Sequence, residues 1–292
     1  MKPAPFAWER PATLAALLDR LAGASGSVRL IAGGQSLGPM LNLRLVEPDL
    51  VLDITGIAEL RQARSEGGVL VLGACVTHAD IEDGRVPDVT GGVLRQVASA
   101  IAYRPVRNRG TIGGSLAHAD PAADWVSALT ALGAEVEIAS RDGRRALPIE
   151  RFVTGALEVA LGVGEILVAV RVPALPSGAA WGYVKHCSKI GEFAHAIGAV
   201  RIEAALGRGR AVIGAVEGPP VLFADARPLF GGRIGPDFAG RFDGEAADAA
   251  LRAAGMADAV ERHVHVTVLA RAVAQAAGAA PGTAPSPLPE AA

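Results

Sequence analysis

Cysteine is scarce: only Cys75 and Cys187 occur among 292 residues. An iron–sulfur cluster takes about four thiolates, so this chain alone cannot hold one. No Cys/His group has the spacing of a zinc site either. Any redox chemistry therefore needs an organic cofactor or a metal-bearing partner. The two cysteines lie far apart; a disulfide between them stays open, and free thiols suit a reducing compartment. An excess of either charge is also lacking. Lys and Arg number 28 against 30 Asp and Glu, a formal net charge of −2, which argues against a nucleic-acid or other polyanionic partner. No apolar run approaches the roughly 18–20 residues that span a bilayer. The N-terminal Met1-Lys2-Pro3-Ala4-Pro5-Phe6 has no apolar segment of the signal-peptide kind, and the expected location is the cytoplasm.

Glycine is plentiful, with 36 residues, and two Gly-Gly stretches stand out. One is Ala32-Gly33-Gly34-Gln35-Ser36; the other is Arg107-Asn108-Arg109-Gly110-Thr111-Ile112-Gly113-Gly114-Ser115. Glycine lets backbone N–H groups turn toward one point and lets a ligand approach without a Cβ clash. Successive inward N–H groups form an anion-binding concavity. Gln35, Ser36, Thr111 and Ser115 add donors for phosphate oxygens. Two such loops could hold the two phosphates of one dinucleotide from opposite sides. Neither is a GxGxxG or Walker sequence, so the Rossmann arrangement is disfavoured. Taken singly, each Gly-Gly pair is an ordinary turn.

The segments around the loops read as alternating strands and helices. Thr13 is placed to cap a helix carrying Leu14, Leu17, Leu18 and Leu21, ended by Gly23 to Gly26. Val28–Ala32 is a strand running into the first loop, with a helical turn at Pro39-Met40-Leu41 after it. Leu50–Ile54 reads as a fully buried strand. A hairpin joins residues 61–66 to 69–73 through Gly67-Gly68. Thr77 caps a helix starting at His78; there His78, Asp80, Glu82 and Asp83 read as a solvated helix start with acids at the positive dipole end. A second helix is expected over 91–102. Asp120 followed by Pro121 predicts a helix start, running to Leu132 and stopped by Gly133. His118 is expected as a lone loop histidine. Strands follow over 134–138, around Arg145–Leu147 after an Asp142-Gly143 hairpin turn, and over 165–172, then a linker over 173–177. Residues 181–185, 197–206 and 211–216 form an antiparallel meander with a Gly207-Arg208-Gly209 turn. The stretch 244–278 is helical, with Val264, Val268, Leu269 and Val273 facing its core; His263 and His265, two apart, do not share a face. Residues 279–292 read as a flexible tail.

The ordered set of motifs resembles the FAD-binding medium subunit of molybdenum hydroxylases, the group that includes the carbon monoxide dehydrogenase medium subunit and the flavin domain of xanthine dehydrogenase. Its carriers are residues 30–37, 106–117, His118-Ala119-Asp120-Pro121-Ala122-Ala123-Asp124, Glu165-Ile166-Leu167, Lys185 and Gly191-Glu192-Phe193-Ala194. The resemblance implies an α+β fold. It would comprise a vanillyl-alcohol-oxidase (PCMH)-type FAD domain of two α/β subdomains, residues 1–57 and 58–175. A C-terminal domain of antiparallel sheet and helices over 176–278 would complete it. It also implies site residues. Leu30, Ile31, Ala32, Gly33, Gly34, Gln35, Ser36 and Leu37, with Thr111, Ile112, Gly113, Gly114 and Ser115, would hold the FAD pyrophosphate. Asp124 would bind FAD hydroxyls, Ile101 and Leu167 would pack against the cofactor, and Lys185 would lie near the flavin, where a cation favours negative charge on the ring. Three positions depart from the family's usual residues: Ser115 for Asn or Asp, Ile101 for an aromatic residue, and Glu192-Phe193 for Asp-Trp.

By that resemblance the chain is an electron-transfer oxidoreductase subunit without catalytic acid or base of its own. A large molybdopterin-binding partner would hydroxylate the substrate. A small partner with two [2Fe–2S] clusters would pass electrons to FAD, in a dimer of heterotrimers. The acceptor would be NAD⁺, a quinone or cytochrome, or O₂, and the substrate carbon monoxide, an N-heterocycle, a purine or an aldehyde. Two other readings stand beside it: a self-sufficient flavin oxidase or reductase of the same fold, and a non-catalytic nucleotide-binding assembly module.

Overall fold

The first apolar segments close a small layer. In the computed structural model, which describes residues 2–278, Thr13 Oγ1 accepts from Ala16 N at 3.2 Å and starts α1 (Leu14–Ala22) after the edge strand β1 (Ala7–Glu9). The strand β2 (Val28–Ile31) leads through the first glycine loop into α2 (Leu37–Asn42), and β3 (Leu50–Asp53) is buried along its whole length. Both β1 and β2 pair parallel to β3, which sits between them. A strand flanked on both edges and covered on both faces must be apolar throughout, as Leu50, Val51 and Leu52 are.

The Gly67-Gly68 hairpin joins β4 (Ala63–Glu66) to β5 (Val69–Gly73), as the sequence predicts. Five short helices follow: α3 (His78–Glu82), α4 (Val93–Ser99), α5 (Arg104–Arg107), α6 (Ile112–His118) and α7 (Asp124–Leu132). Then come β6 (Glu135–Ser140), β7 (Gly143–Pro148), α8 (Ile149–Phe152), the small pair β8 (Val153–Gly155) and β9 (Glu158–Val159), and β10 (Ile166–Pro173). These make an antiparallel sheet ordered β4-β5-β10-β6-β7. One face carries Leu70, Leu72, Val136 and Val170 under the helices. The other carries Ala139, Ile166 and Val168 against Leu14, Leu17 and Leu52 of the first layer. A bulge between Leu167 and Ala169 shifts the phase of β10, so Leu167 and Val170, three apart, both face the helices.

Two helix expectations are corrected here. Asp120 does not start a helix: its carboxylate accepts from Ala122 N at 2.9 Å in a local turn, and α7 begins at Asp124. A short Asx turn competes with helix for the same backbone donors. The helix expected over 91–102 is only Val93–Ser99, because Gly91 and Gly92 both lie at positive φ, 63° and 91°, before it. All nine residues of α7 are buried, which is the state of a helix covered on every side.

The third sheet is the antiparallel series β11 (Ala180–His186), β12 (Ala196–Glu203), β13 (Arg208–Gly214) and β14 (Val221–Phe223). The β12–β13 connection turns at 204–207, ahead of the expected Gly207-Arg208-Gly209, since Arg208 and Gly209 already pair with Glu203 and Ile202. The helical C-terminal stretch is two helices, α9 (Gly244–Ala253) and α10 (Ala259–Ala276). Val268, Leu269 and Val273 are buried as predicted, whereas Val264 is only half-buried. The expected tail, 279–292, lies outside the described residues. α7 lies between the second and third sheets, so its core continues into Tyr183, Ile197 and Val212. Arg201 Nη1 donates to Leu132 O at 2.7 Å and Arg210 Nη2 to Thr130 O at 3.1 Å, closing the C-terminal carbonyls of α7 from that sheet.

Candidate functional site

The two glycine loops touch. Gly33 is buried, and a β-carbon there would stand 1.9 Å from Arg109 O and 2.9 Å from Gly110 Cα. Glycine is what lets two backbones approach this closely. Arg109 Nε donates to Gly33 O at 3.2 Å, and Gln35 Nε2 donates to the same oxygen at 3.1 Å. Across the gap, a β-carbon on Gly114 would lie 3.9 Å from Ala32 Cβ.

The loops divide the work unequally. Among the described residues, the N–H groups of Gly33, Gly34, Gln35, Ser36 and Leu37 meet no backbone or side-chain acceptor. Five consecutive donors without a partner are what an anion cradle would require. The second loop is different from what glycine content implies. Ile112 N donates to Val76 O, Gly113 N to Ala74 O and Ser115 N to Thr111 O, each at 3.0 Å, and Gly114 N donates to Thr111 Oγ1 at 3.0 Å. Its amides tie α6 to the end of β5 and cap the helix. Ile112 is wholly buried, and a β-carbon on Gly113 would lie 2.5 Å from Ala74 Cβ. Gly113 thus serves packing, while exposed Gly114 and half-exposed Ser115 face outward.

Beneath the second loop lies a histidine that is not solvated, contrary to the expectation for this helix start. His78 is 5% exposed, and its Nδ1 accepts from Trp125 Nε1 at 3.0 Å. The accepted bond leaves the ring proton on Nε2. His78 N donates to Gly110 O at 2.9 Å, so the residue supports the loop directly. Burial, with Arg107 nearby, pushes its pKa down to about 4. Asp80 completes a capping box with Thr77, and Glu82 and Asp83 pair with Arg104 and Arg107. The four polar residues of this turn are structural. His118, expected on a loop, falls in the last turn of α6 and is half-buried.

A second cluster joins the layers. Asp124, first residue of α7, is buried; Tyr183 Oη donates to its Oδ1 at 2.6 Å, and Lys185 Nζ lies 2.9 Å from Oδ1 and 3.1 Å from Oδ2. Burial pushes the Asp124 carboxyl up, against the opposing effects of Lys185 and the Tyr183 hydroxyl. Burial and the neighbouring Asp124 raise the Tyr183 phenol well above its ordinary range, so it stays a donor. Lys185 Nζ also donates to Ala100 O at 2.7 Å, beside half-buried Ile101. Leu167 lies in the main core, 4% exposed. The sequence marks neither Tyr183 nor Trp125 as a site residue, and it places His78 at a solvated helix start. Tyr183 was findable: two residues before Lys185 on a strand, it shares its face. The pairing of Trp125 with His78 carries no signal in the sequence, because the two are 47 residues apart and meet only in the fold.

Among the described residues no group of three or more His, Cys, Asp or Glu side chains is placed to hold a metal ion. Both cysteines are free, and burial pushes the Cys75 thiol up to about 12. No described helix is long and apolar enough to cross a membrane. The site's resources are therefore amide donors, hydroxyls and one buried lysine–carboxylate pair, a set suited to binding and orienting a phosphate-bearing ligand.

A family model described as the FAD binding domain in molybdopterin dehydrogenase matches residues 4–175. The chain is 38% identical over 205 residues to the caffeine dehydrogenase subunit beta of a Pseudomonas species, covering 70% of each. It is 36% identical over 196 residues to the carbon monoxide dehydrogenase medium chain of Hydrogenophaga pseudoflava, covering 67% of this chain and 68% of that one. Among solved structures, carbon monoxide dehydrogenase from Hydrogenophaga pseudoflava matches with a TM-score of 0.83 at 30% identity, covering 95% of this chain and 99% of that one. Quinoline 2-oxidoreductase from Pseudomonas putida matches with a TM-score of 0.81 at 31% identity, covering 95% and 99%.

Proposed function

We propose a function on the premise that the chain belongs to the family of FAD-binding medium subunits of molybdopterin dehydrogenases: it relays electrons within a molybdenum hydroxylase complex. The observation that carries this reading is the meeting of the two glycine loops at Gly33, with five consecutive amide donors, Gly33 to Leu37, directed to no partner in the described chain. A pyrophosphate needs several donors and no intruding β-carbon, and this wall offers both, so the residues fit the cofactor. When bound, FAD supplies a carrier that takes up and gives away electrons one or two at a time.

The chain's own residues bind and orient. Gly33–Leu37 would receive the pyrophosphate, and Ser115 and Gly114 would line the opposite side. Ile101 would offer an apolar surface, and Lys185 would place a cation, held by Asp124, beside the ring system. Tyr183 would fix the Asp124 carboxylate so that Lys185 keeps one direction. Electrons would arrive from a small partner carrying two [2Fe–2S] clusters. The partner chain with the molybdenum cofactor would perform the hydroxylation, and NAD⁺, a quinone or cytochrome, or O₂ would be the acceptor. We place the FAD-binding part in subdomains 1–57 and 58–175 and the remainder in a domain over 176–278.

The experiment is an absorbance spectrum of the complex and of this chain alone, before and after anaerobic addition of candidate substrates. Flavin bands on the chain, bleached by substrate only with partners present, are the expected result. Bleaching by a substrate with this chain alone would favour a self-sufficient flavoenzyme. No flavin bands after reconstitution with FAD would overturn the reading.

A further inference from the structure

Three consecutive carbonyls between α4 and α5 are each held by a cation. Ala100 O accepts from Lys185 Nζ at 2.7 Å. Ile101 O and Ala102 O accept from the same atom, Arg107 Nη1, at 2.9 and 3.1 Å. The Arg107 side chain is 11% exposed, and its Nε and Nη2 form a bidentate pair with Glu82 at 2.8 and 2.9 Å. A fork held at both edges by one carboxylate has a fixed plane, so its remaining nitrogen has a fixed direction. Ala102 stands at φ 41°, in the left-handed region. A residue with a β-carbon enters that region at a cost that surrounding contacts must offset. The Arg107 bond to Ala102 O is such a contact.

We propose that Arg107, aimed by Glu82, is a positioning residue of the cofactor site. With Lys185 it locks the 100–102 turn and so sets the direction in which Ile101 meets the cofactor; the proposal rests on the FAD-binding reading. The neighbouring Arg104 gives a built-in comparison. It pairs with the same Glu82 and with Asp83 but bonds none of the three carbonyls. Arg107 alone of the two couples the Glu82 carboxylate to the turn. A network that aims Ile101 needs Arg107.

The test uses the full chain stripped of FAD, titrated with FAD and followed by flavin fluorescence and visible absorbance, with thermal unfolding of each cofactor-free variant alongside. Arg107→Gln is expected to weaken FAD binding about tenfold and to change the shape of the bound-flavin band. Arg107→Lys, which keeps the charge without the fork, should recover part of the loss, and it serves as the lead variant if Arg107→Gln does not fold. Arg104→Gln should stay within about twofold of the parent chain. Ile101→Ala should weaken binding about tenfold, and the double variant Arg107→Gln/Ile101→Ala should also lie near tenfold, against about a hundredfold for independent effects. Parent-like FAD affinity in both Arg107 variants, equal losses at Arg104 and Arg107, or a hundredfold double variant would each overturn the proposal while leaving the FAD reading intact. A parent chain that takes up no FAD would overturn both.

Discussion

Asp124 and Lys185, 61 residues apart in sequence, form an ion pair at 2.9 Å with side chains only 9% and 12% exposed. The pair ties the first turn of α7 to the end of β11, and the same ammonium reaches Ala100 O. One lysine thus links the turn at Ala100, the central helix and the third sheet.

Removing one partner of a buried pair leaves the other charge without compensation. Asp124→Asn should destabilise the chain by about 3 kcal/mol, read by denaturant unfolding. Asp124→Asn/Lys185→Met should be less destabilised than the sum of the two single changes, because the second change removes the stranded charge. Strict additivity would show that the two residues do not support one another.

Gly113 and Gly114 should respond differently to alanine. A β-carbon on Gly113 meets Ala74 Cα at 2.7 Å, whereas on Gly114 its nearest neighbour is the Thr111 hydroxyl at 2.8 Å, with open surface beyond. Gly113→Ala is expected to cost about 1–3 kcal/mol of stability. Gly114→Ala should change stability by less than about 1 kcal/mol while weakening FAD binding. Calorimetry beside FAD titration separates the two; equal stability losses would refute the assignment of Gly113 to packing.

Stability should fall with acid in two stages. Burial depresses His78 and His265 from 6.5 to about 4, and neither His265 nitrogen has a partner among the described residues. Between those values the unfolded chain binds protons that the folded chain refuses, so stability drops as pH falls from 6.5 toward 4. Each histidine contributes on the order of 3 kcal/mol to that drop. Below it, the Arg145 guanidinium holds Glu165 down from 4.5 to about 2, and that contribution disappears as pH falls through this second window. Unfolding midpoints at pH 7, 5 and 3.5 check both stages; His265→Leu should flatten the first.

Arg201 and Arg210 sit opposite one another on β12 and β13 and both close α7 carbonyls. Replacing Arg201 by Met should cost about 1–2 kcal/mol, the worth of a charged hydrogen bond at a helix C-terminus. Hydrogen exchange should quicken in the last turn of α7 more than in its first. Uniform quickening along the helix would contradict a local capping role.

Elements defined by local chemistry were legible in the chain. Thr13 and Thr77 cap the helices predicted for them, Gly67-Gly68 turns its hairpin, and β3 is as buried as its apolar run requires. The Asp120-Pro121 start failed because the carboxylate satisfied Ala122 N in a turn instead. Both outcomes lie within a few residues of sequence, and local propensity decides them only when no equally local bond competes.

By itself the sequence determined the alternation of elements, the two glycine stretches and, with only two thiols, the impossibility of holding an iron–sulfur cluster alone. Tertiary structure decided what each glycine is for. Gly33 admits the Arg109 carbonyl and Gly113 admits Ala74, distinctions that depend on which backbone arrives from elsewhere. It also decided that His78 is a buried acceptor for Trp125, that Asp124 is held by Tyr183 and Lys185, and that Arg107 reaches the 101–102 carbonyls. Those partners lie up to 61 residues apart, and a pattern read along the chain carries no record of distance through space. Burial, which lowers the His78 pKa and raises that of Asp124, exists only once the layers have closed over them.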